Sequence, residues 1–143
     1  MQTVTAKQLK QEVNNQFSSV GFQWVPDKSF ITPTLDEVKD LVASTKVNTL
    51  TFIDAINDCD DFALQLHAAV NLHRANAARD MLIPSDEHLP WAFGEAFGLQ
   101  FMGESYQHSL NICLTTEGIY LIEPQTDEIW LASAGDVVLC VKF

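Results

Sequence analysis

From Asp58 to Ile83 the chain contains neither glycine nor proline. Within that run Cys59, Phe62, Ala63, Leu66, Ala69, Val70 and His73 recur at steps of three and four, which places them on one face of a helix. A helix of about twenty residues is about 30 Å long, the width of a small domain. A chain of 143 residues must therefore build its core around it. Asp58 is the expected N-cap, with Asp60 and Asp61 in the first turn, where the helix dipole favours negative charge.

The segments before it read as helix and connection. Residues 5–17 carry Leu9, Val13 and Phe17 at helical spacing behind a capping Thr5. Gly21 to Ile31 is a connection or short extended stretch rich in aromatics, with a turn signal at Pro26-Asp27. Thr34 and Glu37 form a capping box for a helix over about 35–44. Lys46 to Asp54 fits either a short strand or an extended link.

After the polar break from Pro84 to Pro90 the period changes from 3.6 to 2. Trp91 to Met102 reads as one strand, kinked or bulged at a glycine. Tyr106, His108, Leu110, Ile112 and Leu114 alternate with polar or small neighbours, the pattern of a strand with one buried face. Thr116-Glu117-Gly118 is a hairpin turn, Ile119 to Glu123 its second strand, and 129–132 and 137–143 two more. The expectation is a single α+β domain over 1–143. Its helical part is about 5–83 and its sheet part about 91–143, with the long helix packed on a small antiparallel sheet.

Acidic side chains number 19 against 8 basic ones, a formal charge of −11. Nucleic acid and anionic membrane surfaces are poor partners for such a chain. No stretch approaches a membrane span, and the first residues do not read as a secretory signal. Three cysteines, Cys59, Cys113 and Cys140, match no zinc spacing and point to reduced thiols in a cytoplasm. Oligomeric state is not encoded in any recognisable pattern.

The chemistry-bearing stretch is Asn57-Asp58-Cys59-Asp60-Asp61-Phe62-Ala63. A thiolate at a helix start is stabilised by free backbone N–H groups, an imidazole can shuttle its proton, and a third group can orient that imidazole. His108 is the candidate imidazole. If the hairpin turns at Thr116-Glu117, Thr115 pairs with Gly118 and His108 faces Gln125, with Glu123 one diagonal step away. Glu123 is the first choice of orienting group, Gln125 the second and Asp127 the third. Oxyanion or substrate contacts fall to the Cys59 backbone N–H and to Asn57, Gln125 or Trp24. Asp58, Asp60 and Asp61 would raise the thiol's pKa unless they cap the helix or bind a hard cation such as Ca²⁺. Capping is the simpler role, so no metal or other cofactor is expected.

Asp58-Cys59-Asp60-Asp61-Phe62-Ala63, the strand around His108, and Ile122-Glu123-Pro124-Gln125-Thr126 together resemble the transglutaminase-like cysteine peptidase superfamily, in particular its bacterial cysteine proteinases. The resemblance spans about residues 55–131. It departs from the family at Asn57, where a small residue is usual, and at Glu123, where aspartate is usual. It implies a papain/transglutaminase-like core and a cysteine hydrolase acting on peptide or glutamine amides through Cys59, His108 and Glu123. Protein or peptide would be the substrate of such hydrolysis, deamidation or transfer. The alternative is a non-catalytic binding or inhibitory module that keeps that fold.

Overall fold

The computed structural model describes residues 2–143. In chain order the elements are β1 (Gln2–Thr5), α1 (Ala6–Gln16), β2 (Phe22–Trp24), β3 (Ser29–Thr32), α2 (Leu35–Thr45), α3 (Cys59–Arg79), β4 (Phe93–Phe101), β5 (Glu104–Thr115), β6 (Gly118–Glu123), β7 (Glu128–Leu131) and β8 (Val137–Lys142). Single 3₁₀ turns lie at Val47–Thr49 and Ser85–Glu87.

The helices begin where their first turns supply capping groups. Thr5 and Gln8 bond reciprocally at the start of α1, and Thr34 and Glu37 do the same for α2. At α3 the Asp58 amide donates to Asp61 Oδ2 at 3.2 Å.

Six strands form one sheet in the order β2-β8-β4-β5-β6-β7. All neighbours are antiparallel except β2 and β8, which run parallel. β1 and β3 form a separate antiparallel pair. The expected small antiparallel sheet is thus corrected: the sheet is mixed and six-stranded, and three strands precede residue 33. β1 and β2 are four and three residues long and largely exposed, so neither leaves a buried alternating pattern in the sequence.

Both faces of the large sheet are covered. On one face Leu9 and Val13 of α1 pack with Phe101, Leu110, Ile112 and Leu121. On the other, Phe62, Leu66 and Val70 of α3 and Val38, Leu41 and Val42 of α2 pack with Phe93, Cys113 and Ile122. Burying each such side chain contributes about 1.5–3 kcal/mol. Cys113 is fully buried, and the loss of hydration pushes its thiol pKa up, so it is an inert core residue. Close approach of β8 to β4 requires Gly94, where a Cβ would stand 2.0 Å from the Lys142 carbonyl oxygen.

Candidate functional site

Asn111 fixes which side of β5 meets α3. Its buried amide donates to the Ala63 carbonyl of α3 at 2.8 Å and to the Gly94 carbonyl of β4 at 3.0 Å. Cys113, two residues on, lies in the α3 core. Residues of odd number on β5 therefore point to α3, and His108, Leu110 and Ile112 point away from it.

Cys59, at the first turn of α3, is partly buried. Its sulfur and carboxylate oxygens of Asp58 and Asp60 lie within 4.8 Å of one another. Hydrogen bonding with the Asp58 carboxyl, then slight burial and the charge of Asp58, raise the pKa of Asp60. Asn57 is tied up locally: its Nδ2 donates to the Thr51 carbonyl at 2.7 Å and its Oδ1 accepts from Gln65 Nε2 at 2.9 Å. Trp24 is exposed on β2, in a depression shared with Lys10 of α1. Among the described residues no hydrogen bond joins Cys59 to His108, Asn57, Trp24 or Gln125.

His108 and Glu123 are brought together. His108 Nε2 and Glu123 Oε2 are 2.5 Å apart. The hairpin turns between Thr115 and Gly118, and its ladder places Glu123 opposite Leu110, diagonal to His108. The other Glu123 oxygen accepts from the Gln125 amide at 3.2 Å. Rings of Phe101 and Tyr106 stand 6.1 and 5.5 Å from the imidazole. Trp130, opposite Leu121 on β7, donates its Nε1–H to Asp136 Oδ1 at 3.3 Å. Burial and then the charges of Glu123, Glu104, Glu128 and Asp136 push the Tyr106 phenol above its ordinary pKa. At 42% exposure, Tyr106 presents its ring to solvent. The result is a patch of aromatic rings, one imidazole and several carboxylates on the sheet face away from α3.

Alternation along β5 already set Tyr106 beside His108 in the sequence. Trp130 and Phe101 carried no such signal, because the β6–β7 register and the irregular pairing between Gly98 and Gln100 are set by long-range pairing.

No family model matches the chain, and no curated protein matches it. Solved structures share the fold. A PSL1a–E64 complex superposes with TM-score 0.75 at 16% identity, covering 99% of this chain and 51% of that one. Polyporus squamosus lectin bound to the human-type influenza-binding epitope Neu5Acα2-6Galβ1-4GlcNAc superposes with TM-score 0.73 at 16% identity, covering 99% and 49%. The chain spans about half the length of either.

These likenesses correct the expected transglutaminase-like membership and the papain/transglutaminase-like core: the architecture is shared with about half of each of these two chains. The thiol acyl-transfer function, and with it the description as a cysteine hydrolase, is corrected by the same finding. In the structure His108 pairs with Glu123, and among the described residues Cys59 makes no hydrogen bond to either. The alternative of an inhibitory module on the transglutaminase-like fold loses its basis as well. No helix is long and apolar enough to cross a membrane.

Proposed function

We propose that the chain is a glycan-binding module whose site is the patch of Tyr106, His108, Glu123, Gln125 and Trp130. The observation that carries the reading is the ordered His108–Glu123 pair beside the half-exposed Tyr106 ring. Sugars offer C–H faces that pack on aromatic rings and hydroxyls that donate to carboxylates, and this patch offers both partners. The fold is shared with a lectin solved with a sialylated trisaccharide, which supports the reading. Glu104, Glu123, Glu128 and Asp136 surround Tyr106, so a sialic acid carboxylate would be repelled. The ligand proposed here is therefore a neutral glycan, such as one ending in galactose or N-acetylglucosamine. Three free cysteines fit a reducing compartment such as the cytoplasm.

Isothermal titration with the sialylated trisaccharide Neu5Acα2-6Galβ1-4GlcNAc and with its desialylated disaccharide Galβ1-4GlcNAc tests this. The neutral form should bind, and the sialylated form more weakly. Glu123→Gln and Tyr106→Ala should each weaken binding about tenfold, the equivalent of about 1.4 kcal/mol. Cys59→Ala should leave it unchanged. Absence of binding by either form would overturn the reading. E64, present with PSL1a, is a useful control ligand: its binding to wild type but not to Cys59→Ala would move the site to the α3 side.

A further inference from the structure

On the sheet face opposite the glycan patch, a cavity of about 150 Å³ opens between the first turns of α3 and strands β2, β8, β4 and β5. Asp60, Glu95, Ser109 and Lys142 supply its polar groups, and Phe22 and Phe97 supply rings. Glu95 is the anchored member. Its Oε1 accepts from His67 Nδ1 at 2.9 Å and from Lys142 Nζ at 3.3 Å. His67 is buried to 7% exposure and packs on Phe93, so the carboxylate is held from behind. Burial would raise the Glu95 pKa, but the bonds from His67 and Lys142 outweigh it and hold the carboxyl below its ordinary value. Among the described residues its second oxygen, Oε2, has no hydrogen-bond partner.

Lys142 is half-exposed on a flexible stem, and its ammonium pairs with this carboxylate from the solvent side. Asp60 brings a second carboxyl to the cavity, and with the free Glu95 oxygen it supplies acceptors for a further N–H donor. Phe22, 59% exposed at the rim, offers an apolar surface.

We propose that this cavity binds a small molecule carrying a primary ammonium on a short apolar stem. The ammonium would take the position of the Lys142 Nζ on Glu95, with Asp60 and the Ser109 hydroxyl within the same cavity. The stem would lie along Phe97 and Phe22. Attraction of a cation to ring faces adds to the charge pairing. The proposal does not rest on glycan binding, since the two sites are on opposite faces of the sheet.

Chemical-shift titration of the folded protein with n-butylamine, and with n-butanol as the uncharged analogue, tests it. The amine should give saturable shifts at Glu95, Phe97 and Ser109, and the alcohol none. Lys142→Ala, which removes an exposed side chain, should tighten amine binding several-fold by removing the competing ammonium. Glu95→Gln should weaken it at least tenfold, with thermal unfolding recorded to show that the variant is folded. Equal shifts from the alcohol, no saturation by the amine, or weaker binding by Lys142→Ala would each overturn the proposal.

Discussion

Asn111 has no exposed surface, and its amide bridges a helix carbonyl and a strand carbonyl. Replacing it with alanine removes both bonds from a dry interior. Asn111→Ala should lower unfolding free energy by about 1–3 kcal/mol in urea titrations. Glu95 makes a pH prediction. Its carboxyl is held below its ordinary pKa in the folded chain, so the charged form favours folding. That contribution is complete above the ordinary carboxylate value of about 4.3 and disappears as pH falls through the lower folded value. Glu95→Gln should lower urea midpoints at pH 7. The difference from wild type should shrink as pH drops below the ordinary carboxylate range. A difference that grows in acid would contradict the sign.

At the scale of elements, β4 and β8 lie so close at Gly94 that a methyl group would meet the Lys142 carbonyl. Gly94→Ala should lower the melting temperature by several degrees, since about 1 kcal/mol shifts a domain of this size by about 2–8 °C. Gly103→Ala, where a Cβ meets nothing but φ is +83°, should cost less, through backbone strain alone. Much of this level was legible in the chain. α3 announced itself by its unbroken 3.6 period, and the capping Thr5 and the Thr34–Glu37 capping box marked α1 and α2. The Thr115–Gly118 turn fixed the β5–β6 register, and so placed Glu123 diagonal to His108. β1 and β2 were not legible as strands, because they are short, exposed and paired through backbone bonds to distant partners. The order of Cys59 and His108 along the chain misled for a related reason. Sequence order carries no record of which sheet face a helix covers, and Asn111 and Cys113, not His108, proved to face α3.

For the whole molecule, the main consequence is a sheet with helices on both faces and different chemistry on each. The α3 face holds the thiol, its flanking aspartates and the Glu95 cavity. The opposite face holds His108, Glu123, Tyr106 and Trp130. A formal charge of −11 disfavours anionic partners at either face and favours neutral or cationic ones. On the second face, the His108–Glu123 pair marks where the proposed ligand would sit. The most direct measurement is calorimetric titration of the wild-type chain and Tyr106→Ala with the neutral disaccharide Galβ1-4GlcNAc. Saturable heat from wild type, reduced about tenfold in affinity by the substitution, is the expected result. No heat from wild type, or equal affinity in the two proteins, would contradict the assignment of glycan binding to this face.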